Sequence, residues 1–202
     1  MISFHPRIKA ILIIVFIGIL SGSCVSKNFL TIKYQLPPQA VEQKEIKVAL
    51  AVKDTREDPD IATKSAKTVL KNSTENFALI VAQQNNSDKL VGAFSLSSMI
   101  KEVFKHRLEN AGIVVVSEED PSIPLIEIVL KEFKLDLQNR KWIITMNYQA
   151  DLIKQNKIVA SQAITGTAER LRIVGSQDAE IVVGELVSDV ANKLNLKKLL
   201  QI

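Results

Sequence analysis

Between Glu45 and Lys53 apolar side chains fall on every second position, Ile46, Val48, Leu50 and Val52, with Lys47, Ala49, Ala51 and Lys53 between them. Period two with β-branched residues predicts a strand. Asp54-Thr-Arg-Glu-Asp-Pro-Asp60 ends it with turn chemistry. From Ser95 the period changes: Leu96, Ile100, Val103, Phe104, Leu108 and Ala111 return at three- and four-residue steps and Gly112 closes the run. That pattern predicts an amphipathic helix with a serine start and a glycine stop. Ile113 to Val116 follows as a short apolar strand. A strand, a helix and a strand in this order form a crossover that places the two strands parallel.

Alternation is clearest over the next forty-five or so residues. Ile123 to Leu137 alternates imperfectly. After Gln138-Asn139, the segment Arg140 to Ile153 sets Trp142, Ile144, Met146, Tyr148, Ala150 and Leu152 on one face and Thr145, Asn147, Gln149 and Asp151 on the other. One face is buried and one is wet. Gln155-Asn156 turns into Lys157 to Glu169, with Ile158, Ala160, Ile164 and Ala168 on one side and Val159, Ser161, Thr165 and Thr167 on the other. Three strands with tight turns make an antiparallel meander. Asp178 to about Leu200 returns to helical spacing through Val182, Val183, Leu186, Val187, Val190, Leu194 and Leu199, with acid at its start and lysines near its end, which suits the helix dipole. Residues 61 to 94 are the least legible: Phe77 to Ala82 suits a buried strand or a helical turn equally. The expected fold is α+β, a two-layer α/β sandwich: a mixed sheet with a C-terminal antiparallel meander and two amphipathic helices on one face.

The first twenty-odd residues follow another logic. Arg7 and Lys9 precede the apolar run Ala10 to Leu20, and the small residues Ser21-Gly-Ser23 lead into Cys24. A basic start, an apolar middle and a small-residue exit make a secretory signal. Eleven residues of helix span roughly 16 Å, about half of a bilayer core near 30 Å, which disfavours a permanent spanning helix. The expected organisation is a signal peptide over 1–23, a lipidated N-terminus and tether over 24–43 carrying Pro37-Pro38 and a short strand around Phe29 to Leu36, and a single α/β sandwich domain over 44–202.

Charge and composition narrow the function classes. Lys plus Arg total 26 against 22 Asp plus Glu. Without Arg7 and Lys9 the balance is 24 minus 22, or +2, too weak a field for phosphate-backbone binding, so nucleic acid is not an expected partner. One cysteine and two histidines leave nothing for a disulfide framework or a multi-His/Cys metal site. The expected protein has no metal and no cofactor.

Cys24 is the only cysteine, and it stands where the small residues end, as in the lipobox of bacterial lipoproteins. By that resemblance its thiol is diacylated, the chain is cut before it, and palmitate-type chains hold the protein on a membrane. Ser21 at the usual leucine position departs from the pattern, and Ser21 with Ser23 also fits ordinary signal peptidase, which would leave a bare thiol. Val25 in place of a retaining Asp favours the outer membrane, periplasmic side. Further on, Tyr34-Gln-Leu-Pro-Pro38, the strand into Asp54-Thr-Arg56, Met99-Ile-Lys-Glu-Val-Phe104, Pro124-Leu-Ile-Glu-Ile128, Asn147-Tyr-Gln-Ala-Asp151 and Gly166-Thr-Ala-Glu-Arg170 together resemble the YajG-type family of bacterial lipoproteins. The resemblance implies a lipid-anchored envelope protein with no assigned activity and carries no functional residue across.

Catalytic chemistry finds no pattern to rest on. There is no Gly-x-Ser-x-Gly elbow, and glycines 92, 112, 166, 175 and 184 are too dispersed for a phosphate loop. Asp54, Glu57, Asp58 and Asp60 lack the turning glycine of a calcium loop and share their space with Arg56, which favours capping and ion pairing. His106, between Lys105 and Arg107, is expected on a helix surface. Glu127 and Glu132 are the carboxylates a glycan-acting enzyme would need, on exposed strand positions. Trp142 is either a core anchor or an aromatic that touches ligand. Lys197-Lys-Leu-Leu-Gln-Ile202 forms core or docks on a partner or lipid. The expected function is a non-enzymatic, membrane-tethered binding or accessory module for an envelope protein partner or an amphipathic ligand. An auxiliary subunit of an envelope transport machine is the alternative, and a carboxylate-based enzyme the more remote one.

Overall fold

The structure is a computed structural model that describes residues 29–40, 46–71, 76–82, 88–116 and 122–202. The signal segment and Cys24 lie outside the described residues. The described elements are β1 (Leu30–Tyr34), β2 (Lys47–Asp54), α1 (Lys64–Leu70), β3 (Phe77–Val81), β4 (Lys89–Phe94), α2 (Leu96–Asn110), β5 (Val114–Val116), β6 (Leu125–Gln138), β7 (Lys141–Lys154), β8 (Lys157–Leu171), α3 (Gln177–Lys193) and α4 (Leu196–Leu200). The class is α+β, as the periodicities require, but the strands form two sheets. One has the order β5-β2-β6-β7-β8 and the other the order β1-β3-β4.

The larger sheet contains the expected parallel crossover, with β2 parallel to both β5 and β6. It then runs antiparallel through β7 and β8. Asn139-Arg140 and Gln155-Asn156 all take positive φ, from 48° to 64°, which gives both hairpins the two-residue turns whose twist matches the strands. Trp142, Ile144, Met146, Tyr148, Ala150 and Leu152 form the buried face of β7. Against that face pack α2, through Met99, Ile100, Val103, Phe104 and Leu108, and α3, through Val182, Val183, Leu186, Val187 and Val190. Tyr148 joins the layers: its ring meets Phe104 edge-on at 5.0 Å and its hydroxyl donates to the Val190 carbonyl at 2.8 Å. Gly112, at φ +79°, ends α2 in the left-handed conformation that glycine adopts without strain.

The smaller sheet comes from stretches whose pattern was weak. Phe77 to Val81 is a strand, and its Phe77 meets Phe133 of β6 edge-on at 6.0 Å, where the two sheets touch. β1 lies within the stretch expected to be tether. Leu30, Ile32 and Tyr34 are buried there, and Leu36 follows them into the core. Beyond β1, Asn110 Nδ2 donates to the Pro37 carbonyl at 3.1 Å and Ala40 N–H to the Asn110 carbonyl at 2.7 Å, so the chain is tied to α2 up to residue 40.

The free edge of β1 is covered by α3. Thr31 N–H donates to Glu180 Oε1 at 2.8 Å, Gln35 N–H to Ser188 Oγ at 2.9 Å, and Asn192 Nδ2 to the Gln35 carbonyl at 3.2 Å. Glu180, Gly184, Ser188 and Asn192 recur every four residues and form one stripe of the helix. Gly184 stands in the middle because a Cβ there would lie 2.2 Å from the Lys33 carbonyl oxygen.

Two further details depart from the sequence reading. The final helix is not continuous to Leu200: Leu194 is extended, Gln162 bonds both the N–H and the carbonyl of Asn195, and the Asn195 side chain caps Lys198 N–H at 3.0 Å to start α4. Ile158 is not on the buried face of β8. A bulge pairs Ile153 with Ile158 and Leu152 with Ala160, so Val159 is the extra residue and Ile158 points outward.

Candidate functional site

Cys24, the one residue to which the sequence assigns a chemical fate, is outside the described residues. Of the other candidates, His106 lies in one concave region and the 54–60 loop with Glu132 borders another.

The first is a cleft of about 340 Å³ between β4 and α2. Leu36, Val81, Leu90 and Val91 supply apolar wall, while Glu102, His106 and Asn110 of α2 and Lys89 of β4 supply polar groups. His106 is not the exposed side chain that its neighbours Lys105 and Arg107 suggested. Its ring stacks on Tyr34 at 6.4 Å with 7° between the planes, and Tyr34 Oη lies 2.5 Å from Nδ1. Burial raises the Tyr34 pKa, with Glu102 and Glu109 adding to the effect, so the phenol stays protonated and donates. Nδ1 therefore accepts, and the ring N–H is left on Nε2, 3.3 Å from Glu102 Oε1. Burial also pushes the His106 pKa below the usual imidazole value, against the pull of Glu102 and Glu109. The result is an imidazole held between Tyr34 and Glu102, in a cleft lined on one side by aliphatic side chains and on the other by Lys89, Glu102 and Asn110. Such a cleft suits an amphipathic molecule, its apolar part against the aliphatic wall and its polar part against the α2 side chains and Lys89. Tyr34 was missed as a site residue because Pro37-Pro38 drew its surroundings into the tether.

The second is a shallower groove of about 830 Å³ on the outer face of the larger sheet. Thr55 to Asp58 form its wall, in a loop that leaves β6 where Thr55 N–H bonds the Leu130 carbonyl and rejoins it where Leu135 N–H bonds the Ile61 carbonyl. The loop is held by pairing, as its composition implied. Arg56 grips Asp54 with Nε at 2.9 Å and Nη2 at 2.8 Å, Lys134 Nζ reaches Asp58 at 2.6 Å and the Asp60 carbonyl at 2.9 Å, and Lys67 reaches Asp60 at 2.6 Å. The hydrogen bond from Arg56 holds the Asp54 carboxyl below the usual carboxylate range, and Lys134 does the same for Asp58. Glu132 accepts from Asn147 Nδ2 across the β6–β7 pair, while Glu127 stands opposite Asp151. Glu132 lines the groove and Glu127 does not, so the two carboxylates are not brought together there. Two atoms of groove-lining residues, Arg56 Nη1 and Asn147 Oδ1, are buried and make no hydrogen bond within the protein. Unmet buried groups of this kind cost about 1–3 kcal/mol each. One donates and one accepts, which is what a polar partner would satisfy.

Trp142 is the core anchor of its two expected roles: it is fully buried and its Nε1–H donates to the Gly175 carbonyl at 3.1 Å. Leu196, Leu199 and Leu200 of the C-terminal tail are buried in the chain's own core. Among the described residues no three His, Cys, Asp or Glu side chains are grouped as a metal site would need. Among them, too, no helix is long and apolar enough to cross a membrane.

No protein-family model matches the chain, and no curated protein does. Among solved structures the fold is similar to that of a Xanthomonas campestris protein of the family model DUF330, with a TM-score of 0.52 and 15% identity over 83% of this chain and 95% of that one. It also has a weaker similarity to rare lipoprotein B from Shewanella oneidensis, TM-score 0.39 and 9% identity over 76% and 91% of the two chains. At 15% identity the first likeness is one of fold alone.

Proposed function

We propose that this chain is a bacterial envelope lipoprotein of the YajG type, held on the periplasmic side of the outer membrane by an acylated Cys24. Its globule then acts as a non-enzymatic accessory module that offers the cleft at His106 to an amphipathic ligand or envelope partner. The observation that carries the reading is the chain's only cysteine at the small-residue end of a basic-then-apolar leader. Two or three acyl chains at about 0.8 kcal/mol per buried CH₂ suffice for lasting attachment, so the folded part need supply no membrane-spanning element. The cleft supports the binding half of the reading: its volume is in the range of small-ligand sites, about 300–1,000 Å³, and its walls set the aliphatic Leu36, Val81, Leu90 and Val91 beside the polar Lys89, Glu102, His106 and Asn110. The acids of the 54–60 loop support a non-catalytic role, because Asp54, Asp58 and Asp60 are each committed to a cation.

Cys24→Ser tests the anchor. The variant should leave the membrane fraction, and the wild-type chain should carry fatty-acyl mass on residue 24. Unchanged membrane retention or a bare cysteine would overturn it. A photo-crosslinking side chain in place of the exposed Leu90 tests the cleft in intact envelopes: it should capture a recurrent lipid-like molecule or envelope protein, and capture of nothing reproducible would refute the assignment.

A further inference from the structure

Among the described residues the exposed large apolar side chains, Leu90 in the cleft apart, fall into two groups: a smaller one of Ile158 and Val159 beside the β7–β8 hairpin with Ile202 near them, and a larger one of five. Leu171, Ile173 and Val174, at 58%, 81% and 61% exposure, form the connection from β8 to α3, and Ile181, at 40%, lies on the first turns of that helix. Phe29, at 39%, precedes β1. β1 runs alongside α3 in the same direction, with Thr31 bonded to Glu180, the Lys33 carbonyl against Gly184, and Gln35 bonded to Ser188. Two strand residues thus correspond to four helix residues, and extending this match backward sets Phe29 beside Ser176, the residue that follows Gly175 in the same connection. The five side chains therefore share one end of the molecule. It is also the end at which the polypeptide arrives from residue 28.

A chain advances at most about 3.6 Å per residue, so Cys24 lies within about 18 Å of Phe29 whatever path residues 25–28 take. With residues 29–40 built into the globule, no long leash separates the lipidated residue from the folded body. We infer that Phe29, Leu171, Ile173, Val174 and Ile181 form a membrane-contacting face that sinks into the headgroup region of the bilayer holding Cys24, and so fixes the orientation of the globule on that bilayer. This inference rests on the acylated-Cys24 reading. The occupant is a lipid surface because the chain outside the structure ends there. The hydrogen-bond inventory agrees. The backbone N–H groups of Ile173 and Val174 are satisfied internally by the buried Asp178 carboxylate, at 2.7 and 2.5 Å, and Arg172 N–H by the Arg140 carbonyl at 2.8 Å. The connection can leave water without leaving these donors unpaired, which contact with lipid requires. Arg172, exposed between Leu171 and Ile173, provides a cation at the depth of lipid phosphates. In this orientation the β7–β8 hairpin at Gln155-Asn156, at the opposite end of β8, points away from the bilayer.

The test uses the full, lipidated chain in phosphatidylethanolamine–phosphatidylglycerol vesicles. Because the Cys24 thiol is acylated, Ile173→Cys and Asn156→Cys each introduce one labelling position for an environment-sensitive fluorophore. The label at 173 should emit at shorter wavelength and be quenched by brominated lipids several-fold more than the label at 156. Equal quenching at the two positions, with acyl mass present on Cys24, would overturn the membrane face while leaving the anchor intact. Acyl mass absent with 173 still quenched would overturn the anchor alone. A label at 173 that is shielded only in a protein dimer and unaffected by brominated lipid would also refute the inference, because the face would then belong to a second copy. The triple variant I173D/V174D/I181D, melting as the wild type does, should stay membrane-attached through its acyl chains yet lose the lipid-quenched signal of a fluorophore at Leu171→Cys. Retention of that signal would likewise count against the face.

Discussion

Replacing Gly184 with alanine measures how closely α3 lies along the free edge of β1. In an exposed helix interior the change stabilises by about 1 kcal/mol, since glycine is the more flexible residue in the unfolded chain. Here the added methyl would sit 2.2 Å from the Lys33 carbonyl oxygen and 3.1 Å from its carbon, where ordinary contact begins near 3.4 Å. The separation has to grow by 3.4 − 2.2 = 1.2 Å. The obstructing atom belongs to a strand paired with β3, so it cannot rotate aside as a side chain would. Moving α3 away by that amount would stretch the Thr31–Glu180 bond from 2.8 Å to about 4.0 Å, and the Gln35 bonds to Ser188 and Asn192 would lengthen with it. Overpacking of about 1–3 kcal/mol and about 1 kcal/mol for each of the three bonds, less the propensity gain, leaves a net loss of about 3–5 kcal/mol. In a domain of this size that lowers the melting temperature by about 6–20 °C. Thermal and urea unfolding of Gly184→Ala beside Gly175→Ala make the comparison. Gly175 has open space around its Cβ position and only its φ of +69° to defend, so its loss should be near 1 kcal/mol. A Gly184→Ala chain as stable as the wild type, or more so, would refute the reasoning, because helix and strand would then not be in contact.

Three other outcomes are expected. Burial lowers the His106 pKa in the folded state, so the unfolded chain binds its proton first and stability falls as pH drops through about 6.5; His106→Asn should flatten that limb of a pH series of urea unfolding, and an unchanged slope would refute the burial. Arg56 is 7% exposed and holds Asp54 through a two-nitrogen fork that lysine cannot reproduce, so Arg56→Lys should cost about 1–2 kcal/mol, and a cost within error of zero in chemical denaturation would show the loop is held by other contacts. The N–H groups of Val174 and Ile173, aided by Arg170, hold the Asp178 carboxyl below its usual range, so its stabilising contribution is present above an unfolded value of about 4 and lost as pH falls below it; Asp178→Asn should weaken the protein at pH 7 and reduce the acid-side loss seen by circular dichroism, and an undiminished acid transition would contradict the role.

Local rules carried far along this chain. Alternation placed β2, β6, β7 and β8 within one or two residues, and the three- and four-residue steps with Ser95 and Gly112 bounded α2. The α+β class followed because a sheet with one apolar face and two amphipathic helices bury each other, and those faces are written in neighbouring residues. The basic, apolar and small-residue order before Cys24 is likewise local, and it is the source of the proposed address. Other features lie in relations between distant residues. The short strand expected around Phe29 to Leu36 is β1, but its place in the core rather than in a tether is a tertiary outcome: Leu30, Ile32 and Tyr34 are buried because β3 pairs with one edge and α3 bonds the other. The bulge at Val159, which turns Ile158 outward, arises from the pairing of β7 with β8. His106 looks solvated between two cations, yet it is half-buried, because Tyr34, seventy-two residues earlier, occupies its flank. The apolar end facing the anchor is likewise a product of docking: Phe29 and Ile173 are far apart in the chain, and the stripe through Gly184 that brings β1 against α3 sets them at one end. Periodicity records which side of an element is apolar, whereas the choice of neighbour is made by packing and hydrogen bonds between segments that no sequence window contains together.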